Sequence, residues 1–219
     1  MSFKALVLRS LAVGALAVAS GGAQAAFTVY TSAADFAAAT SAPGVDGFTD
    51  LSSRPIDSPL VRNAGAYGYT ASATTQFYVV GSMGNPYLST DSETDSITFS
   101  NFTGGVRAIG GNFFGTDFAG DFSQGPLSLT ATDADGSFTQ LVNSSSTSGF
   151  LGFVSTGALT SLVLQAALST DVYPAVDNLV LAQVSPLAAI PEPATYAMLL
   201  AGLGVMGMVA RRRKTRTTR

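Results

Sequence analysis

The C-terminal end of the chain carries the feature that most restricts how it can fold. Residues 194–210 contain no charged side chain, and four basic residues follow them, Arg211, Arg212, Arg213 and Lys214. This run is at the short end of the ~17–25 residues that a helix needs to cross a bilayer. Because cytoplasmic flanks of membrane helices are rich in Lys and Arg, the pattern predicts a spanning helix with its C-terminus in the cytoplasm.

A proline-bracketed glutamate, Pro191-Glu192-Pro193, stands directly before this run. Each proline fixes φ and lacks an amide donor, so the motif is predicted to be extended and to stay outside the helix. An extended segment beside a membrane suits recognition by a protease. The alternative is a simple C-terminal anchor that follows an incidental proline-rich linker.

This tail resembles the PEP-CTERM sorting signal of exported proteins in Gram-negative bacteria that secrete exopolysaccharide. The resemblance rests on Pro191, Glu192 and Pro193, on a glycine-containing helix at residues 195–210, and on the basic residues 211–214. It implies recognition and cleavage near the motif by an exosortase, a membrane-embedded, cysteine-protease-like transpeptidase. The implied route passes through an inner-membrane intermediate and ends at the cell surface or outside the cell.

The N-terminal end is predicted to be a secretory signal peptide. Two basic residues within the first nine precede an apolar stretch at residues 11–19, and Ala23-Gln24-Ala25 fits an A-x-A cleavage site. Cleavage after Ala25 would leave Ala26 as the new N-terminus, with the Sec machinery and signal peptidase as partners. An uncleaved anchor is the alternative. The chain is thus divided into a signal peptide at 1–25, one domain at 26–185, and a sorting segment at 186–219.

The central domain is strongly acidic. It contains three arginines, no lysine and thirteen carboxylates, which gives it a formal charge of −10. Nucleic-acid binding needs Lys and Arg side chains that neutralise phosphates, so nucleic acid is not expected as a partner.

Three residue types are absent from the sequence: cysteine, histidine and tryptophan. Without cysteine no disulfide can form, so the domain must be held by its core. Without histidine there is no Ser-His-Asp or Cys-His arrangement and no imidazole ligand for a transition metal. We therefore expect a protein that is not an enzyme.

The fold is predicted to be all-β, an antiparallel β-sandwich or jelly roll with one short helix. Short segments rich in Phe, Tyr, Val, Thr and Ser alternate with Gly, Asn and Asp turns. The clearest hairpin joins residues 127–132 to 137–142 through Asp135-Gly136. The helix is expected at 33–39, capped by Thr31 or Ser32 and ended by Pro43-Gly44. Strands are predicted at 27–30, 76–80, 96–99, 107–114, 127–132, 137–142, 150–155, 161–165 and 175–183.

Calcium is the one cofactor that the sequence suggests. The proposed ligands are carboxylates that alternate along one segment or follow the predicted strand at 107–114: Asp91, Glu93, Asp95, Asp117 and Asp121. The alternative for the first three is a solvated loop. Asp133 and Asp135 are interpreted as hairpin-turn residues, and Asp177-Asn178 as a pair that ties down neighbouring backbone.

Four tyrosines form a candidate ligand surface, since aromatic faces stack on sugar rings and the hydroxyl can hydrogen bond. They are Tyr67, Tyr69, Tyr78 and Tyr87. The sequence as a whole predicts a non-catalytic, structural or adhesive protein of the cell surface or extracellular matrix, in an exopolysaccharide or biofilm context. One alternative is a glycan-binding module, which requires the tyrosines to line an exposed groove. The other is a glycosidase with two facing carboxylates.

Overall fold

The structure is a computed structural model that describes residues 27–52, 54–82, 84–143, 145–167 and 171–186. The predicted signal peptide and the segment after residue 186 lie outside these ranges. The predicted division of the chain into signal peptide, domain and sorting segment stays a prediction.

The described residues form one helix, α1, and fifteen strands. The elements, in chain order, are β1 (Phe27–Tyr30), α1 (Ala33–Ala39), β2 (Thr40–Asp46), β3 (Ile56–Asp57), β4 (Leu60–Ala64), β5 (Tyr67–Ser72), β6 (Gln76–Ser82), β7 (Asn85–Thr90), β8 (Ser96–Ser100), β9 (Ala108–Thr116), β10 (Phe122–Ser123), β11 (Pro126–Asp133), β12 (Ser137–Asn143), β13 (Phe150–Ser155), β14 (Leu159–Ala166) and β15 (Tyr173–Val184).

The strands form two antiparallel sheets that pack face to face. In the described residues, the nine-stranded sheet has the order β1-β13-β9-β15-β7-β6-β3, with β10 beside β9 and β2 beside β15. The six-stranded sheet has the order β12-β11-β14-β8-β5-β4. The chain passes repeatedly from one sheet to the other, as in sandwiches built from non-local pairs. The predicted all-β class and antiparallel sandwich are confirmed.

Alternation along the strands builds the core between the sheets. Phe77 and Val79 of β6 face inward, as do Ile97 and Phe99 of β8, and all four are buried in one apolar cluster. Their neighbours in sequence point to the opposite face of the same sheet, because side chains alternate along a strand. The nine-stranded sheet therefore carries side chains on an outer face as well, and this face holds the candidate site.

Helix α1 covers one half of that outer face. The Ser32 side chain caps it by accepting a hydrogen bond from the Asp35 amide at 3.3 Å, one of the two predicted caps. Phe36 is its buried residue and packs against Ala108 and Val154 of the sheet. The predicted span 33–39 is confirmed, but the chain enters β2 at Thr40, so the helix ends before Pro43-Gly44.

Candidate binding site

The outer face of the nine-stranded sheet has a second half that α1 does not cover. Val80 of β6, Tyr87 of β7, Phe114 of β9 and Ala175 of β15 form a small apolar cluster there, with Tyr78 packed against it. Tyr87 and Phe114 meet edge to face, with ring centroids 4.9 Å apart. This cluster is separate from the inter-sheet core and forms the floor of the site.

Residues 117–121, which connect β9 to β10 and are called the 117–121 loop, cross this floor. Asp117 shapes the loop because its Oδ1 accepts hydrogen bonds from the amides of Ala119 at 2.9 Å and Asp121 at 3.0 Å. The Tyr87 hydroxyl donates to the Gly120 carbonyl at 2.6 Å. Gly120, at φ +86°, lies so close to Val80 that a Cβ would stand 2.6 Å from its side chain. The loop is thus fixed to the sheet.

Phe118 projects from this loop and is 86% exposed. Its ring meets the Tyr173 ring edge to face at a centroid distance of 6.4 Å. The two residues are distant in sequence, and the pairing of Thr116 with Tyr173 between β9 and β15 brings them together. The result is an aromatic pair at the surface.

The aromatic pair borders a cavity of about 110 Å³, which we call the aromatic cavity. Aromatic rings, hydroxyl groups and two carboxylates surround it. The lining residues are Tyr78, Val80, Ser89, Thr90, Asp91, Thr116, Asp117, Phe118 and Tyr173. Burial raises the pKa of the Tyr173 hydroxyl, and the nearby charges of Glu93, Asp171 and Asp91 raise it further. The cavity can offer stacking surfaces and hydrogen-bond acceptors to a neutral, hydroxyl-rich ligand.

A second cavity of about 410 Å³ lies on the other side of the 117–121 loop, and we call it the arginine cavity. Its lining is polar and includes a cation, a carboxylate and a phenol. The lining residues are Arg54, Gly81, Ser82, Asn85, Tyr87, Ala119, Gly120 and Asp121. Burial raises the pKa of the Tyr87 hydroxyl, and the charge of Asp121 raises it further while Arg54 opposes the rise.

The four predicted tyrosines do not act as one surface. Tyr67 and Tyr69 of β5 are buried between the sheets. The Tyr67 hydroxyl donates to the Ala42 carbonyl at 2.8 Å, and the Tyr69 hydroxyl donates to Asp46 at 2.6 Å. These two are therefore core residues, whereas Tyr78 lines the aromatic cavity and Tyr87 lines the arginine cavity. The tyrosines therefore do not form the exposed groove that the glycan-binding alternative required, since Tyr87 is itself buried and its hydroxyl is bonded to the Gly120 carbonyl.

The five predicted calcium ligands are not brought together. Within the residues that the structure describes, no group of three or more carboxylates is placed to hold a metal ion. Asp91 and Asp117 line the aromatic cavity, and Asp121 lines the arginine cavity. Glu93 accepts a hydrogen bond from the Asp171 amide at 2.5 Å. The structure thus brings Asp91 and Asp117 to one cavity but does not gather the predicted set around one point.

Asp95, the fifth of them, is buried and holds a turn. Its Oδ1 accepts from the amides of Thr74 and Ser96 at 2.8 and 2.7 Å, and its Oδ2 accepts from the amide and hydroxyl of Thr75 at 2.8 Å each. Burial alone would raise the pKa of this carboxyl, but the four hydrogen bonds outweigh burial and lower it. Asp95 is a structural anchor.

Asp177, also buried, has much weaker support. Its Oδ1 accepts a hydrogen bond from the Asn178 amide at 2.7 Å, and burial raises the pKa of the carboxyl despite that bond. Asn178 has φ +50° at a bulge where β15 exchanges its partner β7 for β2. Its side chain donates to the Asn112 Oδ1 at 3.2 Å. The pair therefore stabilises an irregular strand, in line with the interpretation that it ties down backbone.

Asp95 and Asp177 should respond to the same substitution with opposite signs. We expect D177N to raise the melting temperature of the full chain at pH 7, because the amide avoids the cost of a buried charge. Because the folded-state pKa of Asp177 is raised, its carboxyl becomes protonated as the pH falls toward ~4, and the parent chain is no longer destabilised by a buried charge. The difference in melting temperature between D177N and the parent chain should therefore shrink.

D95N should instead destabilise by about 2 kcal/mol at pH 7, because hydrogen bonds to a charged acceptor are lost. Because the folded-state pKa of Asp95 is lowered, this difference should disappear as the pH falls below ~4. Thermal unfolding followed by circular dichroism from pH 2.5 to 8 measures both. A D177N gain that does not change with pH would contradict the assignment.

Sequence reasoning missed Arg54, Phe118 and Tyr173. Arg54 and Phe118 lie in connections between strands, and Tyr173 begins β15 two residues before the predicted start of that strand. One signal was present, since Phe118 is an aromatic residue within the turn-like segment Asp117–Asp121. The proximity of Phe118 to Tyr173 depends on strand pairing and has no local signal.

The fold and cavities define an antiparallel β-sandwich with a candidate binding site on the outer face of its larger sheet. Residues 189–214 match the family model of the PEP-CTERM protein-sorting motif, which confirms the resemblance of the tail. The motif implies processing by exosortase-type machinery and export to the cell surface through a membrane-anchored sorting intermediate. The motif residues themselves, Pro191, Glu192 and Pro193, lie outside the described ranges.

Comparison with known proteins adds little about the domain. No curated protein matches the chain in sequence. Two solved structures are similar to it, and both are carbohydrate-binding modules. A mutant family 29 module studied for ligand recognition has 10% identity, covers 76% of this chain and 99% of its own, and has a TM-score of 0.32. A family 6 module studied for its binding sub-sites has 18% identity, covers 60% and 99%, and has a TM-score of 0.31. Likenesses at this level identify no ligand for this chain.

The predicted membrane and signal segments are outside the described residues as well. Among the residues that are described, no helix is long and apolar enough to cross a membrane. The basic residues 211–214 and the cleavage site at Ala23, Ala25 and Ala26 therefore remain predictions from sequence.

Proposed function

We propose that this chain is an exported, non-catalytic surface protein whose sandwich domain binds a glycan at the aromatic cavity. The observation that carries the proposal is the exposed aromatic pair of Phe118 and Tyr173 beside carboxylate and hydroxyl groups. One face of a pyranose ring is apolar and packs on aromatic rings, while its hydroxyls donate to exposed acceptors such as Asp91 and Asp117.

The size of the aromatic cavity supports a polymer as the ligand. At about 110 Å³, it is smaller than the ~300–1,000 Å³ pockets that enclose small molecules. A shallow site of this kind contacts one side of a chain that continues along the surface. The proposed role is therefore structural or adhesive, with an extracellular exopolysaccharide, such as that of a biofilm matrix, as the partner.

The chemistry of the site supports binding without turnover. The sequence has no cysteine or histidine to act as a nucleophile or as an imidazole base. Of the two carboxylates in the aromatic cavity, Asp117 uses Oδ1 to hold the backbone of its own loop. Asp91 accepts a hydrogen bond from the Gln76 amide group at 3.1 Å. Both carboxylates thus have binding or structural roles in this proposal.

Removal of either ring of the aromatic pair should weaken glycan binding about fivefold, since an aromatic contact contributes ~1 kcal/mol. The test compares Y173A and F118A with L141A, which removes a 65% exposed apolar side chain from β12 in the other sheet. Full-length protein in a detergent without a sugar headgroup is run through gels that contain soluble polysaccharides, and retardation is measured.

We expect L141A to behave like the parent chain and the two aromatic variants to lose retardation. If no polysaccharide retards the parent chain, or if all three variants match it, the proposed function is wrong. Release of shorter oligosaccharides from a bound polymer would contradict the non-catalytic part of the proposal.

A further inference from the structure

We infer that the glycan is acidic, and that Arg54 receives one of its carboxylate groups in the arginine cavity. The inference rests on the proposed function and assigns the chemical class of its ligand. It requires a polymer whose neutral ring face packs in the aromatic cavity while a uronic-acid carboxylate reaches across the 117–121 loop.

The geometry of Arg54 leaves its charge available. Its Nη2 donates to the Gly81 carbonyl at 3.1 Å, which places the guanidinium at the edge of β6. A guanidinium has five N–H donors, so most of them remain free for a ligand. Within the described part of the chain, Arg54 forms no ion pair. The side chain is exposed and lines the arginine cavity.

The other two arginines of the domain line neither the aromatic cavity nor the arginine cavity. Arg62 pairs with Asp46 and Asp50, each at 2.7 Å. Arg107 donates to the Thr156 carbonyl. Since the domain has no lysine, Arg54 is the cation that remains to meet an anionic ligand.

The surroundings of Arg54 suit a sugar acid better than a simple anion. Ser82 and Asn85 provide a hydroxyl and an amide in the same cavity, and Asp121 provides an acceptor for sugar hydroxyls. A neighbouring cavity of about 200 Å³ is lined by Arg54, Gly81 and Ser82 as well. Arg54 therefore lies between the arginine cavity and this neighbouring cavity. In this position it can bind one substituent of a polymer that continues on both sides.

The aromatic and arginine cavities differ in their charged groups, and this difference decides where the carboxylate of the ligand can bind. Asp91 and Asp117 make the aromatic cavity unfavourable for a negative group. In the arginine cavity, the exposed guanidinium of Arg54 is a positive group that the aromatic cavity lacks, although Asp121 acts on the Tyr87 hydroxyl more strongly than Arg54 does. A carboxylate placed there can accept two parallel N–H bonds from the planar guanidinium, which is the strongest pairing available to it. The proposed place for an acidic group of the polymer is therefore direct contact with the Arg54 guanidinium, on the side away from Asp121.

The test uses matched pairs of probes that differ only in the carboxylate. Alginate, galacturonate and hyaluronan oligosaccharides are each compared with their carboxyl-reduced forms, in which the acid has become a primary alcohol. Full-length protein in a detergent without a sugar headgroup is titrated by calorimetry at ~0.15 M salt, where the Debye length of ~8 Å limits repulsion by the acidic domain. The variants are R54Q, which removes the charge, and R54K, which keeps it without the planar fork.

We expect the parent chain to bind at least one acidic form about tenfold more tightly than its reduced form. R54Q should bind the acidic and reduced forms equally, because the preference for the carboxylate is lost. R54K should show a preference smaller than that of the parent chain and larger than that of R54Q. Because Arg54 is exposed, its variants should melt like the parent chain, which circular dichroism checks.

Two results would overturn the inference. If the parent chain binds acidic and reduced forms equally, the glycan site stands and the assignment of an acidic ligand is wrong. If a preference for the acidic form survives in R54Q, the carboxylate binds elsewhere. Absence of binding by every probe, with Y173A indistinguishable from the parent chain, would refute the proposed function and this inference together.

Discussion

Replacement of Arg62 by methionine should destabilise the sandwich by about 3–5 kcal/mol, because it leaves the buried Asp46 carboxylate without its cation. The two side chains are 10% and 5% exposed. Arg62 holds Asp46 through two hydrogen bonds, from Nε at 2.7 Å and from Nη2 at 2.8 Å. The charge of Asp46 would then have only the Tyr69 hydroxyl, at 2.6 Å, and the Phe48 amide, at 2.9 Å.

This network is expected to matter because it joins the two sheets. Asp46 ends β2 in the nine-stranded sheet, while Arg62 and Tyr69 lie on β4 and β5 in the six-stranded sheet. The Arg62 guanidinium also lies 5.2 Å from the centroid of the buried Phe48 ring. Methionine keeps the apolar length of the side chain, so the loss measured is mainly that of the charge and its hydrogen bonds.

The matched control is D50A. Asp50 also binds the Arg62 guanidinium at 2.7 Å, but it is 70% exposed, and exposed ion pairs contribute only ~0–1 kcal/mol. In a domain of this size, R62M should lower the melting temperature of the full chain by about 10 °C and D50A by no more than about 4 °C. Equal shifts for R62M and D50A would show that the Asp46 charge is not buried as the structure has it.

The sequence predicted the parts of the fold that have a local pattern. The hairpin of β11 and β12 follows from the alternation of Leu127, Leu129 and Ala131 and from the Asp135-Gly136 turn. Asp133 also contributes, since its Oδ1 accepts from the amides of both turn residues. The nine predicted strands each coincide with an observed strand within one or two residues at either end.

Two of the strands that were missed, β2 and β4, lack such a pattern, whereas β5 alternates buried and half-buried residues and was still not predicted. β2 contains Pro43 and Gly44, and β4 and β5 contain Asn63 and Gly68, residues that are unfavourable in strands. Long-range pairing and burial stabilise these segments in place of intrinsic propensity. No strand was therefore predicted in these segments, where the structure has strands of both sheets.

The four tyrosines predicted as one ligand surface were also separated by the long-range arrangement of the strands. Proximity in sequence grouped Tyr67 and Tyr69 with Tyr78 and Tyr87. The first two lie in the six-stranded sheet and face the core, while the second two lie in the nine-stranded sheet and face outward. Since β6 has apolar side chains on both of its faces, alternation alone does not indicate which face is the core. Only the arrangement of the two sheets decides it.

Replacement of Gly44 by alanine should destabilise the domain by about 3 kcal/mol. In a domain of this size, this corresponds to a melting temperature lower by about 6–12 °C. A Cβ at Gly44 would overlap the Ala64 carbonyl oxygen and stand 2.6 Å from the carbonyl carbon and 3.0 Å from the Gly65 nitrogen. All three are backbone atoms, so no side-chain rotation can relieve the overlap. The two main chains touch where β2 crosses the turn between β4 and β5.

Gly47, three residues further on, is the matched control for this substitution. A Cβ there would be 3.6 Å from the Asn178 Oδ1 and 3.7 Å from the Thr49 Cγ2, which are ordinary contacts, so G47A should melt within about 2 °C of the parent chain. Both variants replace a glycine by alanine in the same part of the chain. Their effects on the unfolded chain are therefore similar and cancel when the two melting temperatures are compared. If G44A and G47A have the same melting temperature, β2 and the turn between β4 and β5 do not approach each other as closely as the structure shows. If only G44A is destabilised, the Pro43-Gly44 pair is confirmed as a crossing point between sheets, where sequence reasoning had placed a helix stop.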